Sequence, residues 1–278
     1  MQAAWKRFCR HRINLIAFWF LIALVAVCLI GPSLSPYAQD AQDLELKATN
    51  ISPQHWLGTD TLGRDMLTRV LKGGQVSLAV GLLATFVAAC IGVTYGLISG
   101  LAGGRIDAAM MRVVDILYAF PFINFVILLM VVFGRHFWLI FIAIGAVEWL
   151  TMARVVRGQV LALKNLEFVT AAKASGAGFW HIVLKHLLPN VIGPVIIYAS
   201  LTVPGVMLLE ATLSFLGLGI QPPNASWGVL LGDGSQVMQT YPWLLVYPGL
   251  FFSSTLLALN ILGDGLRDAF DPKSAAQE

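Results

Sequence analysis

The sequence predicts an all-α, polytopic membrane protein with six transmembrane helices. Three observations carry that prediction. Of 278 residues, 58% are hydrophobic and 12% charged, and the mean hydropathy is +0.77; soluble domains carry about 25% charged residues. Six windows reach or approach the roughly 20 apolar residues that a helix needs to cross the hydrocarbon core. Within all six, Glu148 is the one formally charged residue.

Taken in order, Lys6, Arg7, Arg10 and Arg12 precede the first apolar run, Ile13–Ile30. A secretory h-region spans about 7–15 residues; this longer run predicts a retained first span at 13–30. Residues 31–75 form a connecting segment. Five further spans are expected over Val76–Ile98, Ile116–Phe133, Phe137–Ala153, Val191–Leu209 and Trp243–Gly263, making residues 76–263 the membrane core. Only Gly134–His136 separates the third from the fourth. Pro121, Pro194, Pro204 and Pro248 fall inside spans, where neighbouring helices can satisfy the freed backbone groups.

Six spans put both termini on one side. Of 18 Lys and Arg residues, 13 lie on the side of the N-terminus. The positive-inside rule therefore places 1–12 and 264–278 in the cytoplasm and 31–75 outside. The longest cytoplasmic connection is then 154–190. A net charge of +3 does not suggest nucleic acid.

That connection contains TAAKASGAGFWHIVLKHLLPN, Thr170 to Asn190. Leu166–Ser175 is alanine-rich and favours helix. Gly176 and Gly178 can end it, because glycine takes the left-handed conformation cheaply. Phe179–Leu188 is expected as a second short helix, stopped before Pro189. Small side chains on the first helix would let another protein come close, with Phe179, Trp180, Ile182 and Leu184 as anchors. A linker lying on lipid headgroups is the competing reading.

The stretch resembles the EAA loop of permease subunits in bacterial binding-protein-dependent ABC importers. Ala171, Ala172, Gly176, Leu188 and Pro189 match its spacing; Thr170 stands at the Glu position and His186 at the Ile. Glu167, one turn earlier, could stand in for the missing acid. His55–Leu78, Leu213–Leu231 and Asn260–Lys273 resemble segments of the oligopeptide, dipeptide and nickel permease group, and of its C-type member in particular. The likeness spans residues 1–275.

This resemblance implies a type I ABC importer (MetI-like) permease fold in a bacterial inner membrane. It implies a second, homologous permease subunit, two ATP-binding subunits and an extracytoplasmic solute-binding protein as partners, beside the bilayer. The substrate would be peptides; nickel chelates, glutathione or another small solute are the alternative. ATP and Mg would sit on the partner subunits. No cofactor is expected on this chain, which has no G-x-x-x-x-G-K-[ST] loop; Gly100–Gly104 reads as a turn. The coupling residues carried over are Glu167, Thr170, Ala171, Ala172, Ser175, Gly176, Leu188 and Pro189.

Acids near membrane depth mark pathways or internal pairs, since unpaired charge is costly there. Glu148 and Glu210 are candidates for the translocation cavity, with pairing inside the bundle as the other reading. Asp115 is expected to pair with Arg112. On the outer side, Asp60, Arg64, Asp65 and Trp227 are candidates for contact with the binding protein. There, Asp65 and Arg69 have the spacing of a helix-surface ion pair; a self-contained cap, with Trp227 at headgroup level, is the alternative. His181 and His186, five apart, should not face each other on a helix. No histidine or cysteine pattern suggests metal or a disulfide. An intramembrane enzyme would need paired acids or a Ser/His dyad at membrane depth; a scaffold would lack any pathway.

Overall fold

The structure, a computed structural model, describes residues 7–134 and 137–270. The first six residues of the predicted 1–12 segment, Arg135 and His136, and residues 271–278 of the predicted tail lie outside the described residues. Nine helices are named here: α1 (Arg12–Leu34), α2 (Met66–Ala102), α3 (Gly104–Tyr118), α4 (Phe122–Phe133), α5 (Phe137–Leu163), α6 (Glu167–Ala174), α7 (Phe179–Phe215), α8 (Trp227–Gln236) and α9 (Trp243–Phe270). Five are long and apolar enough to cross a membrane, or six when α3 and α4 count as one bent span. Among the described residues, β pairing is limited to one isolated bridge, Thr59 with Asp65.

The helices run past the predicted spans. α2 has 37 residues, about 55 Å of helix, against a hydrocarbon core of about 30 Å. It starts ten residues before Val76 because the Asp65 carboxylate accepts from the Thr68 N–H at 2.8 Å, capping the first turn. α5 continues to Leu163, so the first part of the predicted 154–190 loop is helix.

The third predicted span is broken. α3 and α4 meet at 80° instead of forming one helix over Ile116–Phe133. Pro121 lacks an N–H and pushes the preceding residue out of the helical region. It becomes the N-cap of α4, and α3 is left as an amphipathic arm carrying Arg105, Asp107, Arg112 and Asp115.

Glycines decide which helices touch. Gly92, Gly96 and Gly100 form one stripe on α2, and α5 lies directly on it. A Cβ at these positions would stand 2.6 Å from Met152 Cβ, 2.6 Å from the Ala153 carbonyl oxygen and 2.7 Å from Val160 Cβ. Small residues at this spacing let membrane helices approach closely and gain dispersion contacts, which must replace the absent hydrophobic drive between helices. Higher on α2, a Cβ at Gly74 would stand 2.7 Å from the Trp227 ring.

Three of the four buried clusters among the described residues stack along the bundle. One joins α1, α2, α8 and α9 around Trp227, Met66 and Phe252. The middle one packs Val80 and Ala84 with Val126, Ile140, Ile144 and Val206. The third joins Leu97, Met152, Val156 and Val160 to Val169 of α6 and to Ile182, Val183, Leu187 and Val191 of α7. α6 and α8 thus mark opposite ends. The first and last described stretches meet near the α6 end, where Arg7 Nη1 donates to the Ala269 carbonyl at 3.4 Å.

Candidate functional site

α6 forms for local reasons. Its eight residues, EFVTAAKA, carry Glu167 in the first turn and Lys173 in the last, both favourable to the helix dipole. The Thr170 hydroxyl donates back to the Leu166 carbonyl at 3.1 Å, and the Ser175 hydroxyl to Ala171 at 2.8 Å. Termination is a Schellman motif. Ala177 N–H bonds the Ala172 carbonyl and Gly176 N–H the Lys173 carbonyl, both at 3.0 Å, with Gly176 at φ +81°. Gly178, at φ −68°, instead caps the next helix.

Only one face of α6 is anchored. Val169 is fully buried against α5 and α7. Glu167, Thr170, Ala171, Ser175 and Gly176 are exposed and Ala172 half-exposed. A Cβ at Gly176 would meet nothing within 4 Å. The arrangement is a short capped rod, fixed from below and presenting small residues above. Leu166, Phe168, Phe179 and Trp180 are exposed around it.

The second short helix predicted to stop before Pro189 is absent as a separate element. Phe179–His181 runs through a π-helical stretch, Ile182–Leu187, into Leu188–Phe215 without interruption. Proline removes one backbone donor and its ring crowds the carbonyl four residues back, here Lys185. Widening to i→i+5 bonds upstream, as in Leu188 N–H to Val183 carbonyl, accommodates it without a break. Leu188 is half-buried and Pro189 exposed. Asn190 Nδ2 donates to the His186 carbonyl at 2.6 Å.

The wider turn overturns the expectation for the histidines. Residues five apart now lie one above the other, and the His181 and His186 rings stand 5.7 Å apart. His186 also packs 6.3 Å from the Phe168 ring, tying α7 to α6. Among the described residues no group of three metal-ligating side chains forms.

At the opposite end, the outer candidates turn inward. Asp60 accepts from Arg64 Nε at 2.7 Å and from Arg69 Nη1, and Asp60 Oδ1 accepts the Leu62 and Arg64 N–H groups. Arg69 therefore pairs with Asp60, not with Asp65 one turn before it. Asp65 is occupied as the α2 cap and by His55 Nδ1 at 2.9 Å. Trp227 is 0% exposed, which corrects its expected place at headgroup level or on a docking surface. Its ring lies on Gly74 and against Phe252, and its Nε1 donates to the Val70 carbonyl at 2.9 Å. A glycine pair offered a slot, and the slot lay 153–154 positions away in sequence.

The two membrane-depth acids differ sharply. Glu210 is 0% exposed. Its Oε1 accepts from Ser214 at 2.7 Å and Ser226 at 2.6 Å, and its Oε2 from Ser77 at 3.2 Å. Ser226 also caps α8, and Ser77 accepts the Trp227 N–H at 3.1 Å. Glu210 thus ties α2, α7 and the start of α8 together. Glu148 is half-exposed and, among the described residues, makes no hydrogen bond or ion pair.

Near the α6 end, Asp115 pairs with Arg154 at 2.9 Å, not with Arg112. Arg154 also lies 4.4 Å above the Tyr118 ring. Asp107 binds Arg157 through two bonds of 2.6 Å and accepts from Ser99. Sequence reasoning missed this pair. Its only signal was an acid in the first turn of α3 and a base on a helix predicted to end four residues earlier.

Comparison with known proteins agrees with this architecture. Residues 92–275 match the family described as binding-protein-dependent transport system inner membrane component. Residues 1–53 match the N-terminal transmembrane domain of oligopeptide transport permease C. The chain is 48% identical to the oligopeptide transport system permease protein OppC of Haemophilus influenzae, over 98% of this chain and 88% of that one. It is 45% identical to the dipeptide transport system permease protein DppC of Bacillus subtilis, over 98% and 85%. In fold it resembles a chain of the inward-facing MetNI methionine ABC transporter, with a TM-score of 0.59 and 18% identity, over 79% of this chain and 99% of that one. The chain belongs to the binding-protein-dependent transport family, and is an ABC importer permease: a membrane subunit of MetI-like fold that is not itself an enzyme.

Proposed function

We propose that this permease forms half of the pathway of an ATP-driven peptide importer, with both termini and α6 in the cytoplasm. The observation that carries the reading is α6: a Schellman-capped rod, anchored by Val169, with Glu167, Thr170, Ala171, Ser175 and Gly176 facing away from the bundle. Such a rod suits a cleft on an ATP-binding subunit. Two such subunits, a second homologous permease and an extracytoplasmic binding protein complete the assembly. Closure of the ATPases would move α6, and the shared apolar cluster would carry that movement into α5 and α7 as a rigid body. Leu188 and Pro189, where the π-turn of α7 passes into its regular α-helical part, fix the exit angle.

Peptides are favoured as substrate by the relatives at 45–48% identity, which are named for oligopeptide and dipeptide transport. A relative named for glutathione transport, from Pectobacterium atrosepticum, stands at 37%. The test is reconstitution of the complete importer in vesicles with its binding protein. ATP-dependent uptake of labelled tripeptides, not competed by glutathione, is expected; glutathione uptake without peptide uptake would replace the substrate assignment. Gly176→Arg should insert at normal abundance and lose uptake, and undiminished uptake in that variant would remove the docking role from α6.

A further inference from the structure

Glu148 stands at the twelfth position of the 27-residue helix α5, about 17 Å from its first residue. That is near mid-depth of a hydrocarbon core about 30 Å thick. Its carboxylate reaches the bundle surface: the one buried side-chain polar atom without a partner among the described residues is Thr85 Oγ1. Ionisable side chains at this depth face a water-filled cavity or a paired charge, not lipid.

What surrounds it separates those two cases. One turn along α5, Thr151 Oγ1 lies 3.3 Å from the Tyr118 hydroxyl of α3. Tyr198 of α7 packs against the buried cluster that holds Met152 and Val156 of the same stretch of α5. Thr202 follows one turn later, its hydroxyl turned onto the Tyr198 carbonyl at 2.8 Å. Three helices thus bring hydroxyls to the stretch of α5 that carries Glu148, which has no ionic partner among the described residues. The basic residue nearest in sequence, Arg154, is engaged by Asp115 and the Tyr118 ring.

We infer that Glu148, with Thr151, Tyr118 and Tyr198, forms a way-station for an ammonium group of the translocating substrate. The acid supplies the counter-charge, and the hydroxyls replace the water that the group sheds on entering. This rests on the peptide reading above. An ammonium can come from a peptide's N-terminus or from a lysine side chain, and the site chemistry is shared by both.

The test uses the complete importer in vesicles, with trialanine and trilysine as probes, comparing wild type with Glu148→Gln and Glu148→Asp. Glu148→Gln is expected to lower trialanine uptake about tenfold or more, as loss of a charge-assisted contact does. Glu148→Asp should restore most of it. ATP hydrolysis stimulated by the loaded binding protein should stay within about twofold of wild type. Loss confined to trilysine assigns the site to side-chain ammonium; loss with trialanine assigns it to the N-terminus. Equal uptake of both peptides by Glu148→Gln and wild type overturns the inference. So does loss of the second permease from purified Glu148→Gln complexes, which would make Glu148 an inter-subunit pair. If wild-type vesicles import neither peptide, the peptide reading itself fails.

Discussion

Arg157 holds the carboxylate of Asp107 with two parallel hydrogen bonds of 2.6 Å, from Nε and Nη2, across fifty residues of chain. The pair welds the amphipathic arm α3 to the end of α5 from which α6 departs. It lies beside the Lys164 ammonium, which donates to the Gly100 carbonyl at 3.1 Å. Removing one partner strands the other, the guanidinium being a third exposed and the carboxylate 12%. Arg157→Gln or Asp107→Asn should therefore destabilise the chain by about 2 kcal/mol. The exchange Asp107→Arg with Arg157→Asp should recover part of it. Thermal unfolding of the purified importer in detergent reads all three.

Trp227 should be the most sensitive single position at the α8 end. Trp227→Ala empties a slot between α2 and α9 and should cost about 3–5 kcal/mol. Trp227→Phe keeps most of the packing, loses the bond to the Val70 carbonyl, and should cost about 1 kcal/mol more than its volume change alone. The ordering Ala well below Phe in melting temperature checks the assignment.

Gly96 is enclosed by the Ala153 carbonyl, Val156 and the Arg157 N–H. Gly96→Leu forces α2 and α5 apart and should destabilise by about 1–3 kcal/mol or more. Gly158 has nothing within 4 Å of a built Cβ. Gly158→Ala on the same helix pair should therefore melt at or above wild type, gaining about 0.5–1 kcal/mol of helix propensity with no clash.

Glu210 serves three serines at once. Glu210→Ala would leave the hydroxyls of Ser77, Ser214 and Ser226 without their shared acceptor, at about 1–3 kcal/mol for each group left unpaired. Glu210→Gln keeps one acceptor oxygen and should fall between alanine and wild type. Abundance in the membrane and melting of the complex report the series.

At Gly176 the backbone itself is the constraint. A φ of +81° costs an ordinary residue about 1–2 kcal/mol, and asparagine less. Space is open there, so Gly176→Ala and Gly176→Asn differ only through that strain. Alanine should reduce uptake per ATP hydrolysed more than asparagine, measured in the same vesicles.

Much of the fold could be read locally. Apolar runs announce the spans, because the cost of exposing backbone in lipid leaves a long apolar segment no alternative to helix. Ala171, Ala172 and Gly176 announce α6 and its end for equally local reasons. The misreadings have a common origin: they concern what a residue meets, not what it is. Asp65 was matched to a base one helical turn away, and Asp115 likewise. Their actual partners, His55 and Arg154, come from folding back a loop and a second helix.

The sequence by itself therefore determined most of the long apolar helices, their order, their residence in the membrane and the rod-like form of α6, since propensity and hydropathy act over a few turns. Tertiary structure alone decided that Trp227 and Glu210 are interior, that Pro189 bends hydrogen bonding into a π-turn instead of ending a helix, and that Glu148 has no ionic partner among the described residues. Those outcomes depend on which helices the glycine stripes of α2 allow to approach. Close packing between segments as far apart as Val70 and Trp227 has no periodicity along the chain from which it could be read.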